Sequence, residues 1–155
     1  MDRRNENQSE FNERVINIDR VARVVKGGRR FRFRALVVIG DGKGKIGMGI
    51  SKGADVTTAI SKAALQAQKR MVKIPVVNGT IPHEAYAKHS GGKVLLKPAG
   101  PGTGVIAGGA VRDVLEVAGV TDILSKSLGS SNKINCTYAT FAALEQLVKV
   151  KKVEA

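Results

Sequence analysis

Residues 24–50 read VVKGGRRFRFRALVVIGDGKGKIGMGI, in which arginine alternates with apolar residues between glycine turns. Successive side chains of a β-strand point to opposite faces, so the alternation places Arg30, Arg32 and Arg34 together on one face. Phe31 and Phe33 fall on the other face, in line with the apolar residues that follow them. The stretch predicts a strand with a basic face and an apolar back. Guanidinium groups fixed in a row suit a polyanion better than a small metabolite.

The residues on either side of this stretch complete a two-layer unit. Residues 14–25 are rich in valine and isoleucine and predict a strand, with a slip in the alternation near Ala22 that suggests a bulge. Paired glycines then favour a tight turn between this strand and a second one over residues 30–39. A third strand covers residues 45–51, and after Gly53 the apolar period becomes helical. The pattern predicts a three-stranded antiparallel sheet backed by one helix, which ends near residues 73–77.

A second region begins near Asn78. Its sequence predicts strands over residues 81–88 and 93–98, then a glycine-rich loop over residues 99–109. A helix that ends at Gly119, a strand over residues 120–128 and a last helix capped by Asn132 follow.

The predicted fold class is therefore α+β with two small domains. Residues 11–77 form the domain built from a three-stranded sheet and a helix, and residues 78–150 form an α/β domain. Residues 1–10 and 151–155 are expected to be flexible tails, because they are polar and lack an apolar pattern.

The charge of the chain indicates an anionic partner. The formal net charge is +13 and the isoelectric point is about 10.2. Residues 1–75 contain 17 basic against 7 acidic residues, whereas residues 76–155 contain 9 against 6, so the first domain holds most of the excess. Arginine dominates near the first turn, and its planar fork matches phosphate well. The residues expected to bind RNA are Arg20, Arg23, Lys26, Gly27, Gly28, Arg29, Arg30, Arg32, Arg34, Lys43, Lys45, Lys52 and Lys62.

A membrane surface is the weaker alternative partner. Binding to anionic lipid usually uses a basic amphipathic helix with large apolar residues, and the helix after Gly53 offers mostly alanine. No apolar run approaches the roughly 20 residues that a membrane span requires. The lone Cys136 fits a reducing compartment, so we expect a cytoplasmic protein without a membrane partner.

Catalytic and metal sites have no candidate residues in the sequence. His83 and His89 lack the cysteine and carboxylate partners of a metal site, and neither a phosphate-loop motif nor a nucleophile elbow occurs. Gly42, Gly44 and Gly47 have the spacing GxGxxG but lead into a strand instead of a helix. Gly42 and Gly44, like Gly27 and Gly28, are expected to form tight turns and to let the backbone approach RNA. No cofactor is expected.

A second glycine pattern leaves one enzymatic alternative open. Gly102, Gly104 and Ala107 fit GxGxxA between a predicted strand and a helix, and Asp122 lies at the distance of a ribose-binding acid. Too little chain remains beyond Asp122 for the doubly wound sheet that forms a dinucleotide crevice. A small nucleotide-binding enzyme that uses residues 102–109 is therefore the alternative to a structural RNA-binding protein.

Two long segments resemble the two signatures of the bacterial small-subunit ribosomal protein S5 family. They are VKGGRRFRFRALVVIGDGKGKIGMG, residues 25–49, and GTGVIAGGAVRDVLEVAGVTDILSKSLGSSN, residues 102–132. The resemblance extends from about Phe11 to Leu147. One departure is Lys133, which stands where the family often has proline.

The resemblance implies a first domain with the double-stranded-RNA-binding fold without its first helix. It implies a second α/β domain with a left-handed crossover, a fold shared with certain small-molecule kinases. The implied function is that of a structural constituent of the small ribosomal subunit, which binds ribosomal RNA, stabilises the head relative to the body and has no small-molecule substrate.

The resemblance also implies specific partners. Gly102, Gly104 and Arg112 lie in the segment that contacts ribosomal protein S4 in the family, at an interface that tunes decoding accuracy. Protein S8 is a further expected neighbour. The turn from Lys26 to Arg29 matches the family's loop near the spectinomycin site.

Overall fold

The computed structural model describes residues 11–147, which contain eight strands and three helices. In chain order these elements are β1 Asn12–Val25, β2 Gly28–Gly40, β3 Lys45–Gly53, α1 Val56–Lys69, β4 Val72–Lys73, β5 Ala85–His89, β6 Gly92–Pro98, β7 Val105–Ile106, α2 Gly109–Ala118, β8 Ile123–Ser127 and α3 Lys133–Glu145. The strands form two sheets, so the predicted α+β class with two small domains is confirmed. The two predicted tails lie outside the described residues.

The first sheet has the order β1-β2-β3-β4, and α1 packs across one of its faces. The carboxylate of Asp55 caps α1 by accepting a hydrogen bond from the amide of Thr58 at 2.8 Å. The buried alanines of α1 lie on the glycine positions of β3, where a Cβ added at Gly49 would overlap the carbonyl oxygen of Ala63. This close approach explains the alternation of glycine along β3. The short β4 adds a fourth strand to the three that the sequence predicts.

The hairpin of β1 and β2 extends past the rest of the first sheet. Lys26 and Gly27 alone connect the two strands, and Gly27 has a φ of +91°. β3 pairs with residues 33–40 of β2, and the outermost pair is Phe33 with Gly53. Residues 20–32 lie beyond this pair and form a two-stranded ribbon that projects from the sheet. We call residues 20–32 the arginine arm.

The register of this hairpin differs in one place from the sequence prediction. The irregularity lies between Val15 and Asn17, and the pairing is continuous through Ala22, where the bulge was expected. The alternation of faces therefore runs unbroken along the whole arginine arm.

The second sheet has the order β5-β6-β8-β7 and is mixed. β7 pairs with β8 in parallel, and α2 forms the crossover connection between these two strands. The left-handed sense of this crossover stays a prediction. As predicted, α2 ends at Gly119, which has a φ of +86°, and the side chain of Asn132 caps α3. The two-residue β7 lies in what the sequence predicts as a loop.

One apolar cluster joins the first sheet to the helices of the second domain. Leu36 and Val38 of β2 and Ile46 of β3 are buried in the same cluster as Val114 and Leu115 of α2. Burying side chains of this size stabilises a fold by about 1.5–3 kcal/mol each. The two sheets therefore share one core.

The shared core limits the basic face that the sequence predicts for β2. Arg30, Arg32 and Arg34 lie on the same face of the strand as Leu36 and Val38, which are buried against the second domain. The opposite face of the same stretch is buried against α1. The predicted basic face is therefore limited to the outer half of β2, where Arg29 and Arg20 add cations to the side that was predicted to be apolar, whereas the inner half is apolar on both faces.

The turn between β2 and β3 docks by its backbone on the end of α2. The amide of Gly42 donates to the carbonyl of Val117 at 3.1 Å, and that of Gly44 donates to Ala118 at 2.9 Å. A Cβ added at Gly119 would overlap the carbonyl oxygen of Gly42. At Gly42 and Gly44 the backbone therefore approaches the end of α2, whereas the sequence analysis expected it to approach RNA.

We predict that Gly119→Ala destabilises the chain by more than about 2 kcal/mol, because the methyl group overlaps the turn and the positive φ disfavours alanine. Gly109→Ala is the matched control, since nothing lies within 4 Å of its added Cβ at the start of the same helix. Urea unfolding measures both variants, and equal stability of the two would contradict the docking described here.

Candidate nucleic-acid interface

The arginine arm is an exposed hairpin, and its arginines form no ion pair with a described residue. Arg23 lies directly opposite Arg30 across the two strands, and Arg32 follows on the same face. Like charges placed opposite each other destabilise a hairpin, so this arrangement favours an anion between them. Val24 near the turn is 80% exposed, which indicates that no other described part of the chain covers the tip.

A cleft of about 330 Å³ opens beside this arginine pair. Its lining includes Arg23 and Arg32 from the arm and Lys52 from β3, together with Val21 and Ala22. Three cations of the predicted RNA-binding set therefore line one concave surface of a size that can accept a phosphate group.

Arg34 differs from the arginines of the arm because its guanidinium is already paired. Its Nη2 donates to Asp19 at 2.9 Å, and Asn17 donates to the same carboxylate oxygen at 3.0 Å. The hydrogen bond from Arg34 lowers the pKa of Asp19 below its ordinary value. The pair neutralises Asp19, which lies on the basic face.

The predicted cluster is divided between the two faces of the arm. Arg20 projects from the face opposite to Arg30, and its guanidinium carbon lies 4.0 Å from the centroid of the Phe31 ring. Arg29 shares that second face, while Lys26, Gly27 and Gly28 occupy the exposed tip. The arm therefore has cations on both faces and at its end.

The remaining predicted residues lie away from the arm. Lys43 and Lys45 are exposed beside the turn after β2, and their amides donate to the carboxylate of Asp41 at 2.7 and 3.0 Å. This turn is at the opposite end of β2 from the tip, a separation of about 40 Å for a strand of this length. Lys62 is exposed on α1, behind the sheet. These three lysines do not join the cleft beside the arm.

The glycine loop before α2 is organised by a carboxylate of the protein itself. The amide of Gly104 donates to Oδ1 of Asp122 at 3.0 Å, and the hydroxyl of Thr121 donates to Oδ2 at 3.1 Å. The Gly104 amide is the largest cause that lowers the pKa of Asp122, followed by the Thr121 hydroxyl and the amides of Gly102 and Thr103. A nucleotide phosphate would have to displace this internal anion, so the loop is not a phosphate cradle.

The predicted protein-interface residues surround this loop. Gly102 is exposed and has a φ of +88°, and no atom of the described residues lies within 4 Å of an added Cβ. Arg112 is exposed on the first turns of α2, and its Nε lies 3.3 Å from a carboxylate oxygen of Glu116. Sequence reasoning missed Asp122 as the residue that holds the loop. Its position 18 residues after Gly104 was the available signal.

Arg14 was also missed by the sequence analysis. It bridges the first sheet and α2 by pairing with Asp113 at 3.2 Å and with Glu116. Its two partners are 99 and 102 positions away in the chain, and no local pattern reveals such a contact.

Within residues 11–147 the structure offers neither a metal-ligand cluster nor a membrane-spanning helix. Residues 11–147 contain no cluster of three or more potential metal ligands, and His89 stacks on Tyr138 with ring centroids 4.6 Å apart. None of the three described helices is long and apolar enough to cross a membrane.

Comparison with known proteins agrees with this geometry, which is that of a nucleic-acid-binding protein. The family model described as "Ribosomal protein S5, N-terminal domain" matches residues 11–75, and "Ribosomal protein S5, C-terminal domain" matches residues 87–155. Two relatives named "Small ribosomal subunit protein uS5", both from strains of Treponema pallidum, are each 55% identical over 144 residues. The alignments cover 93% of this chain and 84% of each relative.

The chain belongs to the ribosomal protein S5 family. It is a structural component of the small ribosomal subunit that binds ribosomal RNA and lies among other ribosomal proteins, in the cytoplasm within the ribosome. It is not an enzyme, so the alternative of a nucleotide-binding enzyme is excluded.

We predict that the NMR chemical shift of the Gly104 amide follows the protonation of Asp122. The midpoint should lie below about pH 3.9, the unperturbed pKa of aspartate. The pKa of Asp122 is lower in the folded chain than in the unfolded chain. The stabilisation that its carboxylate supplies is therefore complete above the unperturbed pKa and is lost as the pH falls through the folded pKa. Proton and nitrogen NMR between about pH 2 and pH 6, a range set by that pKa, measures the midpoint. Asp122→Asn keeps an oxygen acceptor and should abolish the titration; a midpoint above the unperturbed value would contradict the contact.

Proposed function

We propose that the arginine arm binds folded small-subunit ribosomal RNA and thereby holds the head of the subunit relative to its body. The observation that carries this proposal is the projection of residues 20–32 past β3, with Arg23 and Arg30 opposed on an exposed face. Arg32 and Lys52 extend the same face into the adjacent cleft.

The chemistry of the arm favours RNA phosphates over other anions. Guanidinium groups donate two parallel hydrogen bonds to a phosphate, and alternate residues of a strand repeat about every 6.7 Å along it. The arm therefore offers a row of phosphate donors on a backbone that its partner strand holds in an extended conformation. The exposed tip, Lys26 to Arg29, is the part that we assign to the family's loop near the spectinomycin site.

Arg34 has a supporting role in this proposal. Its pairing with Asp19 compensates the negative charge that would otherwise repel phosphate at the base of the arm. Lys43, Lys45 and Lys62 lie too far from the cleft to bind the same phosphates and would contact separate parts of the RNA.

We further propose that the loop with Gly102, Gly104 and the adjacent Arg112 contacts protein S4 and contributes to translational accuracy, with S8 as another neighbour. The exposure of Gly102 and Arg112 supports an interface, and the hydrogen bonds to Asp122 support a preformed loop. A preformed loop binds with a smaller loss of conformational entropy than a mobile one. The segment resemblance is the reason for naming S4 and S8.

Replacing Arg23, Arg30 and Arg32 together by alanine tests the arm. We expect affinity for full-length small-subunit RNA to fall by roughly a hundredfold or more, because each arginine donates charged hydrogen bonds. The slope of log affinity against log salt should shrink by about 3, one for each phosphate contact. Filter binding over a salt series measures both quantities.

The matched control removes three charges from the second sheet, with Lys88, Lys97 and Lys126 replaced by alanine. These lysines are exposed and lie on strands of the second sheet, whereas the arm belongs to the first sheet. If this variant and the arm variant lost the same affinity and salt dependence, net charge alone would explain binding and the arm proposal would fail.

Arg112→Ala tests the protein interface. Alanine preserves the helix, so we expect roughly tenfold weaker association with purified S4 and unchanged affinity for RNA. Lys69→Ala, an exposed position at the end of α1, is the control. Isothermal titration with S4 gives the comparison, and equal affinities for the two variants would count against the assigned interface.

A further inference from the structure

The basic face of the arginine arm runs inward until it meets the second domain. Arg32, Arg34 and Lys52 lie on the face of the first sheet that holds Leu36 and Ile50 further in. Leu36 is buried in the core shared with α2 and α3, and Ile50 packs against the same cluster. The row of cations therefore ends where the second domain begins.

Helix α3 lies across this face of the sheet. Tyr138 and Phe141 of α3 line one pocket together with Met48 and Ile50 of β3. Lys133, the first residue of α3, precedes Tyr138 by five residues, which is about 7.5 Å along a helix. The start of α3 therefore lies close to the edge of the shared core.

The charge of Lys133 acts on Asp19 of β1. Asp19 lies opposite Arg34 on the basic face. The hydrogen bond from Arg34 is the main cause that lowers the pKa of Asp19, and the cation of Lys133 lowers it further. Because Arg34 also lies opposite Lys52, Lys133 adds a cation from the second domain to the base of the arm.

Lys133 has no carboxylate of its own. Within residues 11–147 its ammonium group forms no ion pair, and Asp19 already pairs with Arg34. Lys52 forms no ion pair in that part of the chain either, and both lysines are exposed. The junction of the two domains therefore holds an excess of positive charge that is open to solvent.

The helix itself does not explain a lysine at this position. The amino end of a helix carries partial positive charge, and α3 has no acidic residue in its first turn to offset a cation. Proline, which the family often has where Lys133 stands, suits the first helical position because its φ is already helical. The lysine therefore points to a role of its charge outside α3.

We propose that Lys133 binds a phosphate of the RNA that the arm binds, beside Lys52, so that the RNA contacts both domains at their junction. Lysine binds phosphate as a point charge, and the site continues the row of cations that begins with Arg30 and Arg32. A phosphate that follows the arm inward reaches this site next, whereas a carboxylate of another protein would have to enter between the RNA and the sheet. This inference rests on the proposed binding of RNA by the arm and adds a contact that the second domain supplies.

Lys133→Ala tests the contact by affinity. We expect binding to full-length small-subunit RNA to weaken by roughly fivefold and the slope of log affinity against log salt to shrink by about 1, because one phosphate contact is lost. Lys133→Arg keeps the charge and should stay within about twofold of the wild-type affinity. Lys97→Ala removes an exposed lysine of β6 and is the matched control. If Lys133→Ala matched Lys97→Ala in both affinity and salt slope, the proposal would fail.

Lys133→Pro separates the charge from the fold. Asn132 has a φ of −63° and a ψ of 115°, which lies outside the helical region that a following proline disfavours. We therefore expect urea unfolding at or above the wild-type midpoint, together with the same loss of RNA affinity as in Lys133→Ala. Wild-type RNA affinity in this variant would overturn the contact.

Lysine acetylation of the complex between the chain and RNA, without other proteins, identifies the occupant. Mass spectrometry gives the reactivity of each lysine in the free chain and in the complex. We expect Lys133 and Lys52 to lose about fivefold or more of their reactivity and Lys97 to keep its own. Unchanged reactivity of Lys133 would overturn the proposal, since a contact with another protein cannot form in this mixture.

Failure of this contact and failure of the arm give different results in the same binding assay. If replacement of Arg23, Arg30 and Arg32 by alanine weakens RNA binding while Lys133→Ala and Lys133→Pro do not, the arm proposal stands and this inference is wrong. If the two Lys133 variants weaken binding and the arm variant does not, the arm proposal is wrong and the RNA contact of the second domain remains.

Discussion

The backbone contact between the turn after β2 and the end of α2 determines how the two sheets are joined. It depends on glycine on both sides: an added Cβ at Gly40 would overlap the carbonyl of Val117, and one at Gly119 would overlap that of Gly42. With the backbones this close, Leu36 and Val38 can enter the cluster formed by α2 and α3. Truncating a buried leucine to alanine usually costs about 2–5 kcal/mol, so this shared cluster is a large part of the total stability of a chain of this size. The orientation of the arm follows from it, because the same strand continues outward.

β2 therefore combines two environments in one continuous strand. Its inner half is buried on both faces, between α1 and the shared core, and its outer half is a basic ribbon in solvent. A two-stranded ribbon alone is only marginally stable in water, so the buried half supplies the anchor that keeps the arginines in register. The glycine loop before α2 is anchored in a comparable way by the carboxylate of Asp122. The molecule thus offers RNA and protein partners separate surfaces that are fixed by one core.

Much of this organisation could be predicted from local patterns. The alternation around Arg32 predicted the strand and its basic face, and Gly119 and Asn132 predicted the end of α2 and the start of α3, because capping depends on neighbouring residues. Properties that depend on distant residues were not predictable. The pairing of Arg34 with Asp19, the bridge from Arg14 to α2 and the burial of Leu36 require the register or the docking of remote elements. The two-residue strands β4 and β7 contain too few residues for any periodicity.

We assign RNA to the arm and a protein partner to the glycine loop. Directed hydroxyl-radical cleavage tests this assignment, with an iron chelate attached to Gly28→Cys at the arm tip or to Gly102→Cys at the loop. Both positions are exposed, whereas the native Cys136 is buried and shielded from the reagent. In assembled small subunits we expect strong, localised cuts in ribosomal RNA from the arm and at most weak cuts from the loop. Strong RNA cleavage from the loop together with none from the arm would contradict it.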